Sequence, residues 1–393
     1  MKRVLSLFFI TLIIIFIGYL AIKNSPSYWY AKYEHYYEKL ETITNGKITS
    51  YLPAPIPSPL YYFNLDKIKT KLESPPDWII KELEQSFAIY KKFTPEEVLK
   101  THELTVPAEN YTVFIIKDGK VTYKNRNRNI GRFILRGINY YQKLFSYLHK
   151  KKLIGDLVIM IRMSDVMGDE YSEININDIA PLFAFSKNTN KHLDKYSVLI
   201  PDWLNLRHWP LNLKQVELAN KQFPWDKKLN VVFWRGGMSD VSGYRHGIVN
   251  ISKNLNQQKI DAQFTEGKLA TAKFTKLKDH IAYKYQLSID GWAATYERSI
   301  WQLYSNSVML KQNSIYTQWF SSALEPGKHY VDVGTNANEL LTILSKYSDE
   351  ELHEIAVAGQ KFVKENLMPE DMIVYLILVL QKYEKLQITA QTK

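Results

Sequence analysis

An α/β fold with two globular domains is predicted from three observations on the sequence. The chain has 393 residues, of which 46% are hydrophobic, with 16 Gly and 15 Pro, and this is enough apolar material for two hydrophobic cores. Short apolar runs of the β type flank a helical pattern over residues 111–161. The same alternation resumes after residue 228 and continues to residue 310. The two stretches indicate two α/β domains in series.

The beginning of the chain has the pattern of a membrane anchor. Residues 4–22 form an uncharged, mostly apolar run of 19 residues, which spans the hydrocarbon core of a bilayer as a helix. A cleaved signal peptide is the alternative, but its apolar region is usually about 7 to 15 residues long and a small-residue cleavage site follows it. No such site follows Ala21. We therefore expect residues 1–27 to be the transmembrane helix of a single-pass membrane protein, in the inner membrane if the source is bacterial.

Residues 28–100 are expected to form a stem and a helical N-terminal region. Prolines occupy every second position from residue 53 to residue 59, and such a stretch cannot be helical. The pattern becomes helical over residues 76–100. Within it, Thr94 precedes Pro95 and two glutamates, which is typical of a helix start.

Residues 101–226 are predicted to form the first domain. Residues 111–116 and 157–161 read as strands, and residues 132–148 between them read as a helix, which indicates a β-α-β arrangement. The helix has an apolar face and a basic face at helical spacing. The basic face carries Arg132, Arg136 and Lys143.

The positive charge of the chain is concentrated in one place. The net charge is +11, and residues 117–152 alone contain eleven Lys or Arg and one acidic residue. Two interpretations stay open: an ordinary solvated helix face, or a patch that faces anionic lipid close to the anchor. No nucleic-acid partner is predicted, because no nucleic-acid-binding motif accompanies the charge.

Residues 227–368 are predicted to form the second domain, and residues 369–393 a C-terminal helical segment. Within the domain, residues 230–234, 282–289 and 307–310 read as strands and residues 293–304 as a helix. The helix over residues 369–387 is strongly apolar but has fewer than about 20 unbroken apolar residues, so we expect it to pack on the body.

Asp165 is the first candidate for chemistry. The run 157–161 is apolar on both faces, as expected of a central parallel strand, and Asp165 comes just after its end. Ligands of open α/β sheets bind beyond the carboxyl ends of the strands, where a carboxylate can take a proton from a hydroxyl. The alternative is a cap for the following helix.

A second group of candidates follows the strand 230–234. Arg235 precedes Gly236 and Gly237, and Arg245 comes shortly after. The glycines allow backbone amides to approach a phosphate, and the arginines can bind a diphosphate in a bidentate manner without a metal. An ordinary turn is the alternative.

A third group follows the strand 282–289. Asp290 and Gly291 lead into small residues that we expect to open a helix and to leave its first amides free for an anion. A tight turn selected for packing is the alternative. The members of this group are Asp290, Gly291, Trp292, Ala293, Ala294, Thr295 and Arg298.

Several classes of chemistry are excluded by composition and spacing. The chain has no Cys, which rules out disulfides, thiolate metal sites and a cysteine nucleophile. Its nine His are scattered, without metal-ligand spacing, so no metal site is predicted. A nucleophile elbow and a Walker loop are also missing.

Taken in order, the motifs resemble glycosyltransferase family 90, the family of protein O-glucosyltransferases and of capsule-associated or lipopolysaccharide-modifying enzymes. The resemblance covers roughly residues 111–383. It rests on four segments: Phe183-Ala184-Phe185-Ser186-Lys187; Phe223-Pro224-Trp225 with Phe233-Trp234-Arg235-Gly236-Gly237; Lys284-Tyr285 through Asp290-Gly291; and His329-Tyr330-Val331.

The resemblance implies a fold and a set of site residues. The fold would be two facing Rossmann-like domains of the GT-B type, with the acceptor in the first and a UDP-sugar in the second. Asp165 matches the catalytic base, with Asp169 in reserve because Met163 and Ser164 lengthen the connection from Arg162. The implied substrate-binding residues are Ser186, Lys187, Trp209, Arg235, Gly236, Gly237, Arg245, Asp290, Gly291, Trp292, Ala293, Ala294, Thr295 and Arg298.

The function implied is an inverting, metal-independent glycosyltransferase that needs no cofactor besides its UDP-sugar co-substrate. UDP-glucose is the expected donor, with UDP-xylose or UDP-galactose as alternatives, and a surface glycan such as lipopolysaccharide or capsule is the expected acceptor. A non-catalytic, membrane-tethered protein that binds a glycan or an anionic lipid is the rival interpretation. The side of the membrane that holds the body is left open.

Overall fold

The computed structural model describes residues 63–104, 111–125, 130–165, 174–255 and 257–388. The predicted anchor over residues 4–22, the proline-rich stretch and Asp169 lie outside these ranges. Within them, no helix is both long enough and apolar enough to cross a membrane.

The described helices alternate with strands from residue 111 onward, which confirms the α/β prediction. The helices are α1 Leu65–Glu73, α2 Asp77–Phe87, α3 Pro95–Leu104, α4 Arg132–Lys150, α5 Trp203–Gln222, α6 Tyr244–Asn254, α7 Leu277–His280, α8 Tyr296–Tyr304, α9 Leu340–Leu344, α10 Asp349–Asn366 and α11 Pro369–Leu386. The strands are β1 Tyr111–Lys117, β2 Lys120–Asn125, β3 Leu157–Arg162, β4 Leu182–Ala184, β5 Lys187–Asn188, β6 Val198–Leu199, β7 Leu229–Gly236, β8 Ile260–Phe264, β9 Tyr283–Ser288, β10 Val308–Lys311, β11 Tyr316–Thr317 and β12 Val331–Asp332.

The first sheet is mixed, with the strand order β2-β1-β3-β4-β6. Strands β3, β4 and β6 are parallel, with Met160 opposite Leu182 and Phe183 opposite Val198. Strand β1 is antiparallel to both of its neighbours. The predicted β-α-β arrangement is therefore wrong for β1 and β3, although both strands and the helix between them exist.

A tight turn explains the difference. Asp118 and Gly119 have φ values of 50° and 74°, as both central residues of a hairpin turn of this hand require. The turn reverses the chain, so the unpredicted strand β2 pairs with β1 and Lys117 lies opposite Lys120. Strand β2 ends opposite the start of β1, and helix α4 then leads back to the turn, where Ser146 Oγ donates to the Gly119 carbonyl at 2.9 Å. Strand β3 therefore starts beside the end of β1 and runs antiparallel to it.

The second sheet is parallel throughout, in the order β8-β7-β9-β10-β12. Parallel sheets are covered by helices on their faces, and their strands are correspondingly apolar. Their carboxyl ends lie at one edge, where ligands of such sheets bind. The predicted strands of this half are confirmed as β7, β9 and β10.

Two helices complete the core of the first sheet. Of the predicted apolar face of α4, Ile138, Tyr141, Phe145 and Leu148 are buried and Ile134 is half-buried. Helix α11 is apolar on nearly all sides, which is typical of a buried helix. Its last turns reach β3, where the Tyr383 hydroxyl donates to the Val158 carbonyl at 2.9 Å. The end of the chain therefore packs on the first sheet.

A buried ion pair organises the carboxyl end of β3. The Arg162 guanidinium and the Asp194 carboxylate form a direct ion pair, and both side chains are buried. Asp194 also accepts a hydrogen bond from the Asn188 amide at 2.7 Å. Since Asn188 lies on β5, which pairs with β11, the ion pair also supports the ribbon that joins the two halves of the chain.

We predict that Asp194→Asn destabilises the first half strongly, because Arg162 stays buried without a counter-charge. Removing one partner of a buried pair costs about 3–5 kcal/mol. The measurement is the urea midpoint followed by tryptophan fluorescence. Glu325→Gln, which breaks the exposed pair with Lys328, is the matched control and should leave the midpoint unchanged. Equal midpoints for both variants would contradict the role of the buried pair.

Candidate functional site

The candidate site lies where the carboxyl edges of the two sheets meet. Asp165 and Ser186 follow β3 and β4 of the first sheet, while Ala294 and Tyr296 follow β9 of the second. Two hydrogen bonds join these edges. The Ala294 amide donates to Ser186 Oγ at 3.3 Å, and the Tyr296 hydroxyl donates to Asp165 Oδ1 at 3.3 Å.

The Asp165 side chain is exposed, whereas its backbone is fixed by a buried arginine. The Arg162 guanidinium donates to the Asp165 carbonyl at 3.2 Å and also to the Ser186 carbonyl. The same arginine is anchored by Asp194. A fixed main chain with an exposed carboxylate is suited to accept a proton from a bound hydroxyl.

Tyr296 is a site residue that the sequence interpretation missed. Burial and the nearby Asp165 charge raise the pKa of Tyr296 well above its usual value, so the hydroxyl keeps its proton and acts as a donor. Tyr296 is the first residue of α8, directly after the small-residue segment 291–295. The base candidate is thus connected to the segment predicted to hold the donor.

Arg245 is a charged group whose described hydrogen bonds all go to backbone carbonyls. Its Nε, Nη1 and Nη2 atoms donate to the carbonyls of Asp290, Gly237 and Ile289, each at 3.0 Å. Burial lowers its pKa, and the charges of Asp240 and Asp290 act in the opposite direction. No described carboxylate forms an ion pair with it. Gly291 permits the close packing, because a Cβ there would lie 3.0 Å from Arg245 Nη2.

Arg298 carries a second charge, and no described carboxylate forms an ion pair with it. Its Nη2 donates to the Arg235 carbonyl at 2.8 Å, whereas its buried Nη1 has no hydrogen-bond partner among the described residues. Burial and the neighbouring Arg245 charge lower its pKa to about 10. A buried donor without a partner is costly, and two guanidinium groups close together repel each other. An anion beside the two groups would relieve the repulsion.

Arg235, in contrast, is directed away from these two arginines. Its guanidinium donates to the Asp261 carboxylate at 2.7 Å and stacks on Phe233 at 4.3 Å from the ring centre. Phe233 on β7 and Asp261 on β8 are cross-strand partners. The Arg235 side chain, two residues after Phe233, lies on the same face of β7 and therefore contacts both. Only the backbone carbonyl of Arg235 takes part, as the acceptor for Arg298.

The segment 291–295 differs from the helix start that was predicted. Helix α8 begins at Tyr296, and three amides of the segment already have acceptors. The amides of Gly291, Ala294 and Thr295 donate to the Ala293 carbonyl, to Ser186 Oγ and to Asp290 Oδ1. The expectation of free amides is therefore wrong for these three. The segment instead positions the two halves.

Asp290 and Trp292 take different places in this segment. Burial raises the pKa of Asp290, and its Oδ2 has no hydrogen-bond partner. Trp292 is 61% exposed. Asp290 therefore organises the segment from within, whereas the Trp292 ring is accessible to a ligand.

Comparison with known proteins is decisive at this point. A family model described as glycosyl transferase family 90 matches residues 87–393. The chain belongs to glycosyl transferase family 90. The resemblance inferred from the four sequence segments is thereby confirmed.

Several protein O-glucosyltransferases are similar to this chain. Protein O-glucosyltransferase 3 of Homo sapiens is 37% identical over 173 residues, which make up 42% of this chain and 33% of that protein. Protein O-glucosyltransferase 2 of Danio rerio is 34% identical over 178 residues, covering 42% of this chain and 34% of that protein. Protein O-glucosyltransferase 1 of Homo sapiens is 28% identical over 233 residues, covering 52% and 57%. The chain thus spans between a third and somewhat more than half of their length.

The remaining family-derived residues lie at different distances from the cleft. Trp209 is buried in the core, where its indole N–H donates to the Leu367 carbonyl at 2.8 Å. Lys187 follows Ser186 on the extended chain, and its ammonium donates to the Ser197 carbonyl at 3.4 Å. Gly236 is a packing residue, since a Cβ would lie 2.5 Å from the Trp234 ring. Gly237 contributes its carbonyl to Arg245.

The acidic side chains near the cleft have no apparent metal-binding arrangement among the described residues, and one of them has a structural role. Asp202 lies at the carboxyl edge of the first sheet, and burial raises its pKa to about 7. It caps α5 by accepting from the Asn205 amide at 2.9 Å, which is a structural role. Among the described residues, no group of three or more His, Asp or Glu could hold a metal ion.

We predict that Tyr296→Phe lowers the transfer rate expected of the family about tenfold, because the carboxylate of Asp165 loses a hydrogen bond that fixes its orientation. The affinity for UDP and the melting temperature should not change. Tyr304→Phe removes a hydroxyl from the other end of the same helix, where it donates to Glu217 at 3.4 Å, and is the matched control. If both variants lower kcat equally, Tyr296 does not position the base.

Proposed function

We propose that this chain is an inverting, metal-independent glycosyltransferase that moves a sugar from a UDP-sugar to a hydroxyl of a glycan acceptor. The observation that carries the proposal is the pair Arg245 and Arg298. Both guanidinium groups are desolvated, their pKa values are lowered, and neither has a carboxylate partner among the described residues. A diphosphate supplies the missing negative charge.

The proposed reaction uses Asp165 as the general base. Its carboxylate takes the proton of the acceptor hydroxyl, and the oxygen forms a bond to the anomeric carbon. The bond from that carbon to the diphosphate oxygen breaks at the same time, and its electron pair leaves with UDP. Arg245 and Arg298 stabilise the negative charge that develops on the leaving group, which is the largest expected contribution to the rate. Attack opposite the leaving group inverts the anomeric carbon.

Glucose is the first choice for the transferred sugar. The relatives are named O-glucosyltransferases, which supports UDP-glucose as donor, with UDP-xylose or UDP-galactose as alternatives. For the acceptor, a surface glycan such as lipopolysaccharide or capsule remains our proposal. It suits a chain without Cys whose first residues have an anchor pattern.

We further propose that the two halves act as facing Rossmann-like domains of the GT-B type. The parallel part of the first sheet and the parallel second sheet support this arrangement, because both present their carboxyl edges to the same cleft. The acceptor would bind on the Asp165 side and the donor on the Arg245 side.

We predict that Arg298→Met weakens UDP binding roughly 10- to 100-fold. The reason is that the variant loses one charge-assisted contact to phosphate, which contributes about 1.5–3 kcal/mol. Arg245→Ala should have a similar effect. Calorimetry in the presence of EDTA measures both, and wild-type affinity should be the same with and without the chelator. Lys259→Met, which removes a charge before the amino end of β8, is the control. Unchanged UDP affinity in both arginine variants would refute the site.

We predict that Asp165→Asn lowers transfer at least about 100-fold while UDP binding persists, because the amide cannot accept the proton. A radiolabelled-donor assay separates this outcome from the rival binding-protein function, for which the wild-type chain would show no turnover. If the variant keeps more than about a tenth of the wild-type rate, the base is another residue, and Asp169→Asn is the next variant to test.

We also propose that the chain is tethered to the membrane by residues 1–27 and that the face of α4 with Arg132, Arg136 and Lys143 lies against anionic lipid. A chain lacking residues 1–27 should bind vesicles that contain anionic lipid, and salt should weaken this binding. Replacing all three residues by Gln should cost about 1 kcal/mol for each charge. Equal binding to neutral and anionic vesicles would identify the basic face as merely solvated.

A further inference from the structure

A cavity of about 430 Å³ lies outside the cleft, between α2, the turn 194–196 and the β5–β11 ribbon. Its size is within the usual range for small-molecule sites, about 300–1,000 Å³. Both halves of the chain contribute to its wall. The polar side chains that matter for a ligand are Glu82, Lys187, Lys195, Thr317 and Gln318.

Two ammonium groups line this cavity, and neither forms an ion pair with a described carboxylate. Lys187 has a long hydrogen bond of 3.4 Å to the Ser197 carbonyl. Burial lowers its pKa, and the charges of Glu82 and Asp194 act in the opposite direction. Lys195 is exposed, with its ammonium 4.9 Å from the centre of the Tyr196 ring. With two ammonium groups against the one carboxylate of Glu82, the wall has an excess of positive charge that favours an anion.

The remaining lining is suited to a carbohydrate. The Glu82 carboxylate already accepts hydrogen bonds from the Ser86 and Ser322 hydroxyls, at 3.0 and 2.6 Å, and each oxygen can accept another. The Gln318 side chain also lines the wall and offers an amide donor and an amide acceptor. Ile89 and Leu199 add apolar surface to the wall. Hydroxyl groups of a sugar would satisfy the polar atoms, and its C–H faces would pack on the apolar ones.

The cavity is separate from the proposed transfer site. Ser186 and Lys187 are successive residues of an extended segment, so their side chains point to opposite sides. Ser186 Oγ faces the segment 291–295, where it accepts from the Ala294 amide. Lys187 therefore points away from the segment that was assigned to the donor.

We propose that this cavity is a second binding site, for a small anionic carbohydrate: a hexose unit that carries one phosphate or carboxylate group. The anionic group binds between Lys187 and Lys195, and the sugar hydroxyls bind Glu82 and Gln318. The assignment is independent of the proposed transfer reaction. The ligand is either a free sugar phosphate or an anionic unit of a longer glycan, since both present the same chemistry.

Calorimetry on the full 393-residue chain in detergent tests the site, with glucose 6-phosphate, glucuronate, glucose and inorganic phosphate as probes. Glucose 6-phosphate or glucuronate should bind at least about tenfold more tightly than glucose and than inorganic phosphate. Lys195→Met should weaken that binding at least about tenfold and leave UDP affinity unchanged. Lys253→Met, which removes an exposed charge from α6, should change neither.

Two results would overturn the proposal. One is the lack of saturable binding for both anionic sugars, and the other is binding that Arg245→Ala abolishes while Lys195→Met does not, which would assign the ligand to the donor cleft. Binding that survives Arg245→Ala supports the site even if the transfer proposal fails. Gln318→Met is a second variant, expected to weaken the binding of glucose 6-phosphate more than that of inorganic phosphate. A uronate oligosaccharide that binds more tightly than glucuronate identifies the glycan as the source, and weaker binding identifies the free sugar.

Discussion

The buried pair of Arg162 and Asp194 is the interaction on which the candidate site depends. Arg162 ends β3 and holds the carbonyls of Asp165 and Ser186, while Asp194 holds the amide of Asn188. A buried charge is tolerated only with a partner and with its other hydrogen bonds satisfied. The pair therefore fixes the ends of β3 and β4 and the start of the β5–β11 ribbon relative to one another. Without it, the exposed carboxylate of Asp165 would lie on a loop with no defined direction.

Two hydrogen bonds connect this edge of the first sheet to the second half of the chain. Ser186, held by Arg162, accepts from the Ala294 amide, and Asp165 accepts from the Tyr296 hydroxyl. Ala294 lies in the connection between β9 and α8, whereas Tyr296 and Arg298 lie in the first turn of α8. The candidate base on one half and Arg298 on the other are thus linked through one short segment. In the proposed reaction, these few contacts would set the position of the base relative to the leaving group.

Local patterns were enough to predict part of this arrangement. Apolar periodicity located β3, β7 and β9 and the buried face of α4. It could do so because the spacing of apolar residues within a strand or helix shows which face is buried. Strand direction was not available in that way, and the Asp118-Gly119 turn reversed the expected pairing of β1 and β3. The ion pair of Arg235 with Asp261 could not be predicted either, because Asp261 lies on a neighbouring strand, 26 residues further along the chain. Tyr296 differs from an ordinary helix-start residue only through its contact with Asp165, which no spacing rule reveals.

The two arginines of the cleft also show how the site acts on stability. The lowered pKa of Arg298, about 10, is still far above neutral pH, so the group stays charged and the cost of desolvating it is fully present there. Arg245 adds repulsion to that cost. Two desolvated guanidinium groups that repel each other lower the stability of the empty protein, and the remaining contacts of both sheets must offset this cost. The proposed binding of a diphosphate would offset this repulsion, so the same charges that destabilise the empty cleft would favour the occupied one.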